Sequence, residues 1–399
     1  MVKYEDLKDK IEKAINEKLA DAIEINDYLA DNPEVAAEEF KSSKKVVDYL
    51  RSQGFDVEYP YMNIQTAFKG TFGKGGHKYK AAVLAEYDAL PEIGHACGHC
   101  LSCAMSVLAA TVLKDFQDEL DCDIAIFGTP EEEVDGAKCR MVDNGAFDGY
   151  DFAIMVHLYD RNLLYCKLLA LNSFLYTFHG KAAHAAAAPW EGINALNGAQ
   201  LMMHAVDMLR QHVTPDVRMH AVYRNGGAAP NIVPEEASIE IFARALDRPY
   251  LNKVLKKIDD CAYGAAQATQ STVDVFETSH QYDNLVPYEE GIKAIDEVFG
   301  DLGIEYIKED HDEIFGSSDI GNVSFACPTF HPTLKLVERG IKVHTREFVA
   351  AVKTPAAYEN LERGANVIAL SIAKVFTDEE RVKALRERTK AVKASLAEE

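Results

Sequence analysis

A turn rich in metal-binding side chains separates a predicted buried strand, residues 79–85, from a predicted apolar helix, residues 101–115. Within that turn, only Gly98 separates Cys97 from His99. Glycine adopts backbone conformations that other residues avoid, so the chain can turn tightly enough for both side chains to face one point. A thiolate and an imidazole suit zinc or a similar borderline ion. The segment therefore predicts a strand–turn–helix unit whose turn holds part of a metal site.

Strands and helices are predicted to alternate through the first part of the chain. Helix-spaced apolar residues indicate helices at 4–29 and 44–53, and apolar runs indicate strands at 122–127 and 152–156. This alternation is typical of an α/β fold with a mostly parallel sheet flanked by helices. The polar residues that follow the strands lie where open α/β sheets place their functional sites.

A unit of a different kind is predicted in the middle of the chain. Its pattern indicates four strands and two helices, namely strands at 171–178, 218–224, 237–244 and 273–277 and helices at 193–211 and 250–267. The chain then returns with helices at 289–299, 355–376 and 378–396. We therefore predict a discontinuous metal-binding domain, residues 1–170 and 282–399, and an inserted α+β domain, residues 171–281.

The acidic balance of the chain argues against two classes of partner. Among 399 residues, 64 are acidic and 42 are basic, which gives a formal net charge of -22. Nucleic acid and an anionic membrane surface would both be repelled by such a chain. We therefore expect no nucleic acid and no membrane as a partner.

Cysteine usage and apolar stretches indicate the compartment. The eight cysteines are scattered at irregular spacings, as in proteins whose thiols stay reduced. The longest apolar stretch, residues 103–113, is too short to span a bilayer, and the first residues lack the apolar core of a signal peptide. We therefore expect a cytoplasmic protein.

Three consecutive glutamates, Glu131, Glu132 and Glu133, follow a predicted strand. Amide hydrolysis needs an activated water, a polarised carbonyl and a proton shuttle, which metal ions and a neighbouring carboxylate can supply. A solvated acidic loop is the alternative, but the position at a strand end favours a functional role. Spacing alone assigns no role to His157, which follows a strand, or to His344.

Several segments in a fixed order resemble the amidohydrolase branch of the aminoacylase and carboxypeptidase G family of metallopeptidases. Within that family, the chain is most similar to the aminobenzoyl-glutamate hydrolase B type and to related dipeptidases of the β-alanyl-lysine and Xaa-Arg types. The resemblance covers essentially the whole chain. The matching segments are residues 86–99, 128–133, 157, 180–185, 231–244, 316–319 and 344–345.

The resemblance implies a complete metal centre. One or two divalent ions per subunit, zinc or manganese with cobalt possible, would be bound by five ligands, namely Cys97, His99, Glu133, His157 and His344. Glu132 would be the general acid and base of the reaction. Asp88 would be a buried group that orients the ligands, as outer carboxylates commonly do.

The resemblance also assigns roles to the inserted domain, which would act as a lid and form a homodimer. In the family, the histidine at the position of His184 reaches the partner subunit's active site and stabilises the oxyanion. Asn231 and Arg244 would bind the substrate, and a guanidinium suits a carboxylate because it pairs bidentately. Arg224 is a second candidate for that carboxylate.

The sequence thus predicts a metal-dependent amidohydrolase or dipeptidase. Its substrate would be a small molecule with an amide bond beside a free-carboxylate amino acid, namely an N-acyl amino acid, aminobenzoyl-glutamate or a dipeptide. The base stays open by one position, because Glu131 stands where the family usually has a small residue. Two alternatives are a cysteine hydrolase with Cys97 as nucleophile and a non-catalytic metal-bound binding protein.

Overall fold

The structure, a computed structural model, describes residues 2–397. The chain divides into two compact units. One unit combines the residues up to Lys167 with those from Leu285 onward, and the inserted unit is Leu168–Asn284.

The helices and strands are numbered in chain order. The α-helices are α1 (Tyr4–Asp31), α2 (Phe40–Ser52), α3 (His99–Leu113), α4 (Gln117–Leu120), α5 (Ala137–Asp143), α6 (Ala195–Leu209), α7 (Arg248–Thr269), α8 (Glu289–Asp301), α9 (Ile320–Ala326), α10 (Arg346–Ala351), α11 (Pro355–Phe376) and α12 (Glu379–Ala397). The strands are β1 (Asp56–Glu58), β2 (Phe68–Thr71), β3 (Tyr79–Ala85), β4 (Cys122–Gly128), β5 (Phe152–Ile154), β6 (His157–Tyr159), β7 (Ala170–His179), β8 (Arg218–Asn225), β9 (Glu236–Ala245), β10 (Thr272–Glu277), β11 (Thr329–Phe330) and β12 (Thr333–Lys335).

The larger unit is built on a six-stranded sheet with the order β1-β2-β4-β3-β5-β11. Strands β4, β3, β5 and β11 run parallel, whereas β1 and β2 add an antiparallel edge. The predicted α/β fold with a mostly parallel sheet is therefore confirmed. The antiparallel edge was not predicted, because strands of three and four residues are too short to show a period.

Helix α3 lies at the centre of the larger unit. All its residues are buried, and it packs against α1, α11 and β3. The surrounding helices are amphipathic; in α1, for example, Leu7, Ile11 and Ile15 recur at helical spacing and are buried. The helical stretch His99–Leu120 is long and apolar enough to cross a membrane, but 83% of its apolar window is buried inside the protein, as in a core helix.

The parallel strands place their carboxyl ends at one edge of the sheet. Glu86 follows β3 directly, Thr129 follows β4, and His331 follows β11. His157 comes three residues after the end of β5 and begins the short strand β6. Polar residues from four strands therefore converge at this edge.

The inserted unit is a two-layer α+β structure. Its antiparallel sheet has the order β10-β7-β9-β8, and one face packs against α6 and α7 through alternate residues such as Tyr176, Ile239 and Ile241. Helix α6 is capped by the preceding residue, Asn194, whose side chain accepts hydrogen bonds from two backbone N–H groups. The predicted fold of two helices and four strands is confirmed.

Candidate metal centre

Gly98 forms the turn that brings Cys97 and His99 together. Its φ of 78° lies in the left-handed region, and α3 begins at the next residue. A Cβ atom at this position would lie 3.3 Å from atoms of both Leu158 and Phe348. The positive φ therefore favours glycine, as the sequence predicted for the turn, and the packing behind it leaves little room for a side chain.

We expect Gly98→Ala to lower the free energy of unfolding by about 1–2 kcal/mol, because the left-handed backbone conformation costs a residue with a Cβ atom that amount. The displaced turn should also lower metal content. Urea denaturation and metal analysis of the purified variant measure the two effects. Gly149→Ala is a useful control, because Gly149 has a φ of 78° but an open surrounding. Equal metal loss in both variants would contradict the proposed role of the turn.

The imidazole of His99 is fixed by Asp88. Its Nδ1 lies 3.0 Å from Asp88 Oδ1 and 3.1 Å from the backbone carbonyl oxygen of the same residue. A backbone carbonyl can only accept, so Nδ1 carries the donated proton and Nε2 is left to bind a metal. Asp88 Oδ2 accepts a second hydrogen bond, 2.9 Å long, from the backbone N–H of Glu133. One buried carboxylate therefore positions two of the predicted ligands.

His157 is held in the same tautomer. Its Nδ1 donates to the backbone carbonyl of Leu158 at 2.8 Å, which leaves Nε2 as the atom that can bind a metal. Burial, and then the charge on His99, lower the pKa of His157 to about 4. The ring is therefore neutral at neutral pH, as a metal ligand must be. The rings of His99 and His157 lie edge to face with centroids 5.4 Å apart.

His344 and Glu133 meet at the more exposed side of the cluster. His344 Nε2 lies 3.4 Å from Glu133 Oε2, and the backbone N–H of His344 donates to the carbonyl of Ala96 at 3.0 Å. His344 has a φ of 64°. A residue far along the chain is thereby held beside the turn that carries Cys97 and His99.

The three consecutive glutamates diverge. The carboxylate of Glu131 pairs with Arg140, and its backbone N–H donates to Glu39 at 2.9 Å. Burial, followed by the charges of Glu86 and Glu133, raises the pKa of Glu132 well above its usual range. A carboxyl group that holds a proton more readily than usual is suited to proton transfer, which favours Glu132 as the acid and base.

The surroundings of Cys97 disfavour a nucleophilic thiolate. Burial, and then the charge and hydrogen bond of Glu133, raise the pKa of this thiol well above its usual range. Activated cysteines instead sit beside cationic groups or at electropositive sites. A cation would reverse this effect, because it binds the thiolate and displaces the proton. The acidic setting thus favours Cys97 as a metal ligand.

Two sets of ligand atoms emerge from this geometry. Cys97, His99 and Glu133 form one set, and Glu86, His99 and His157 form the other; the ligand atoms in each set lie within 4.8 Å of one another. The cluster is rich in buried acidic groups, and such charges are stable only when cations or hydrogen bonds compensate them. The residues therefore fit one or two divalent ions.

Sequence reasoning missed Lys138 and His331 and gave Asp319 no role. Lys138 is fully buried, and its Nζ lies 2.6 Å from both Glu86 Oε1 and Asp319 Oδ1. The ring of His331 lies 5.3 Å from that of His157, and burial lowers its pKa to about 3. Both residues lie next to or within elements of seven residues or fewer, which give no periodic signal.

The predicted residues of the inserted unit lie on its surface or at half-buried positions. His184 is exposed, and its Nδ1 accepts hydrogen bonds from the backbone N–H groups of Ala186 and Ala187 at 3.3 and 3.2 Å. Its proton is therefore on Nε2, which can donate to a negatively charged oxygen. Asn231 lies nearby, since its carbonyl accepts from the N–H of Ala185 at 3.0 Å.

The two candidate arginines differ in their surroundings. Arg224 is exposed and is paired with Glu240, with Nε 2.6 Å from the carboxylate. Arg244 is half-buried, and burial lowers its pKa. Both arginines stay candidates for a substrate carboxylate, with which a guanidinium can pair bidentately.

Comparison with known proteins identifies the family. The M20 family model described as peptidase dimerisation domain matches residues 170–268. A Xaa-Arg dipeptidase of Mus musculus is 34% identical over 358 residues, which cover 86% of this chain and 83% of that protein. A p-aminobenzoyl-glutamate hydrolase B of Escherichia coli K12 is 32% identical over 272 residues, which cover 63% of this chain and 56% of that protein.

A solved structure from Bacillus subtilis, described as a dinuclear metal-binding peptidase of the M20 family, has the same fold. It aligns with a TM-score of 0.69 and 16% identity, and the alignment covers 90% of this chain and 98% of that one. Together with 34% identity along most of the mouse dipeptidase, this confirms the resemblance read from the sequence. The chain belongs to the M20 peptidase family.

Proposed function

We propose that the protein is a metal-dependent amidohydrolase or dipeptidase that cleaves an amide bond beside a free-carboxylate amino acid. The observation that carries this proposal is the pair of ligand sets sharing His99, with Glu132 beside them. Relatives named as dipeptidases and amidohydrolases support the reaction class. An N-acyl amino acid, aminobenzoyl-glutamate and a dipeptide all present the required bond.

Glu132 carries the proton in the proposed reaction. A divalent ion bound by these ligands would activate a water molecule and polarise the substrate carbonyl. Glu132 accepts a proton from the attacking water and then gives it to the nitrogen of the leaving amine. Its raised pKa supports these roles, because a carboxyl group that holds a proton more readily than usual can take a proton from water and keep it until the amine leaves.

The inserted unit carries groups suited to the rest of the substrate. The Nε2–H of His184 would donate to the oxyanion, and Asn231 would supply amide hydrogen bonds. Arg244 would pair with the free carboxylate of the amino acid being released. We propose residues 171–281 as a lid and dimerisation domain on this basis.

We propose zinc or manganese as the native ion, with cobalt as a substitute. We also propose that the protein is cytoplasmic. The thiol of Cys97 favours zinc, since thiolates are soft ligands, whereas carboxylate ligands suit manganese. All eight cysteines are free thiols, which agrees with a reducing compartment.

Amine release from a small substrate panel tests the proposed function. The panel contains aminobenzoyl-glutamate, acetylated amino acids, and β-alanyl and ordinary dipeptides, each with metal-loaded and chelator-treated protein. We expect release from at least one substrate, its loss after chelation and its return when zinc or manganese is added back. Release that survives chelation would point to the cysteine hydrolase, and no release at all would contradict the proposed activity.

We further propose that the protein is a homodimer whose contact is formed by strand β8 and helix α6. Strand β8 is an edge strand, so one side of its backbone is unpaired within the sheet. Tyr223 on β8 and Met208 on α6 are exposed, and the Nη1 of Arg210, just after α6, donates to the carbonyl of Met219 on β8. An apolar helix face beside an open strand edge suits pairing with a second copy.

The double substitution Met208→Glu and Tyr223→Glu is therefore expected to convert the dimer to a monomer, because it places charges on the proposed contact. Light scattering coupled to size-exclusion chromatography measures the mass. Phe276→Glu is the matched control, since Phe276 is exposed on β10, the opposite edge strand. A double variant that keeps the mass of the wild type would contradict this interface.

A further inference from the structure

We propose that Glu86 is an additional metal ligand, which binds through Oε2 to the ion held at His157, and that Lys138 and Asp319 are positioning residues that fix its carboxylate. The inference rests on the metal centre of the proposed function and extends its ligand set. It also gives a role to a buried ion pair that the proposed reaction does not use.

The contact between Glu86 and His99 points to an ion. Glu86 Oε2 lies 3.3 Å from His99 Nε2, and each side chain is 1% exposed. The backbone carbonyl of Asp88 accepts from Nδ1 of His99, so Nε2 is the nitrogen that a metal ion can bind once any proton on it is displaced. Among residues 2–397, no hydrogen-bond partner reaches this nitrogen. Either a proton on Nε2 or a bound cation can bridge these two atoms, and metal binding displaces such a proton from its ligands.

The distance itself fits shared coordination. Two ligand atoms bound at about 2.1 Å to one ion in tetrahedral geometry are separated by roughly 3.4 Å. The distance between Glu86 Oε2 and His99 Nε2 is 3.3 Å, and that between Glu133 Oε2 and His344 Nε2 is 3.4 Å. Both pairs are therefore spaced as neighbouring ligands of one ion.

The second ion needs Glu86. His99 Nε2 can bind one ion only, yet it belongs both to the set with Cys97 and Glu133 and to the set with His157. The spacing of Glu86 and His99 groups both with His157, so Glu86 completes a set of three ligands for that ion, and Cys97 and Glu133 remain for the other ion.

Lys138 and Asp319 hold Glu86 in the required orientation. Lys138 Nζ binds Glu86 Oε1 at 2.6 Å, so Oε2 is the oxygen left for an ion. Asp319 Oδ1 fixes the same Nζ at 2.6 Å, and its Oδ2 accepts the backbone N–H of Lys138 at 3.0 Å. Outer contacts of this kind commonly set ligand orientation and metal affinity.

Metal binding by matched variants tests the proposal. Glu86→Gln and Asp319→Asn each remove one carboxylate charge from Lys138, but only Glu86 lies beside His99. Mass spectrometry of zinc-loaded protein gives the number of bound ions, and cobalt titration followed by visible absorption gives their affinities. We expect two ions in the wild type, at least about tenfold weaker binding of one ion in Glu86→Gln, and a smaller change in Asp319→Asn.

Equal losses in the two variants would overturn the proposal, because Glu86 would then act only through Lys138. Unchanged affinity in Glu86→Gln would overturn it as well. Glu86→Asp is a second variant, since it keeps a charge for Lys138 but withdraws the oxygen from His99 by one methylene; we expect it to lose the same ion. A wild-type protein that binds no ion would instead contradict the proposed function itself.

Anomalous diffraction from zinc-loaded wild-type crystals tests the proposal without any variant. We expect one metal peak about 2.0–2.2 Å from Glu86 Oε2, the usual length of a zinc–carboxylate bond. Metal peaks that all lie more than about 3 Å from Glu86 would overturn its role as a ligand.

Discussion

Replacing Glu132 with glutamine is expected to lower kcat by about 10²–10⁴-fold, the usual contribution of a general acid–base group. Glutamine keeps the size of the side chain but cannot accept the proton of the attacking water. Metal content should stay near that of the wild type, because Glu132 is not among the clustered ligand atoms. Steady-state kinetics on the best panel substrate, together with metal analysis, measures both quantities.

Glu131→Gln is the matched control for this substitution. Glu131 is adjacent in the chain, but its carboxylate pairs with Arg140 and its φ of 64° turns the backbone between it and its neighbours. We expect this variant to keep most of the wild-type kcat. A large loss in Glu131→Gln with activity retained in Glu132→Gln would show that the base is one position earlier.

Replacing Lys138 with methionine is expected to lower the free energy of unfolding by about 3–5 kcal/mol, the usual cost of breaking a buried ion pair. Methionine fills a similar volume, so the loss comes from charge and not from a cavity. Glu86 and Asp319 would be left buried without the ammonium that lies 2.6 Å from each of them. Urea denaturation followed by circular dichroism measures the change.

Lys114→Met is the control for the buried lysine. Lys114 Nζ also lies 2.7 Å from a carboxylate, but that carboxylate belongs to Asp115, whose side chain is 57% exposed. Water screens such a pair, so its loss should cost less than about 1 kcal/mol. Similar values for the two lysine variants would contradict a buried, functional charge cluster around Lys138.

The long elements of the fold could be predicted because their patterns are local. The strand at 79–85 and the helix at 355–376 have the predicted bounds. The strand is an apolar run interrupted only by Lys80, and the helix has an apolar face and a capping threonine followed by proline. Short elements such as β1, β2 and β11 were missed, because two to four residues cannot show a period.

The residues of the candidate site also differ in whether the local sequence predicted them. Cys97, Gly98 and His99 are neighbours in the chain, so their local spacing predicted a shared point, and the structure places the Cys97 and His99 ligand atoms together. His157 and His344 had no local signal; their roles came from the resemblance to the family. Their assignment as ligands stays a prediction, which the metal measurements above address.

The sequence by itself determined the α/β fold, the inserted two-helix, four-strand unit and the metal-binding turn, because each depends on neighbouring residues. Only the tertiary structure joined Lys138 both to Asp319, which is 181 residues away, and to Glu86. A lysine and two acids separated along a chain are indistinguishable from surface charges. Their role becomes visible only when the strand ends and helix α5 bury them together, because a buried charge is stable only beside an opposite charge.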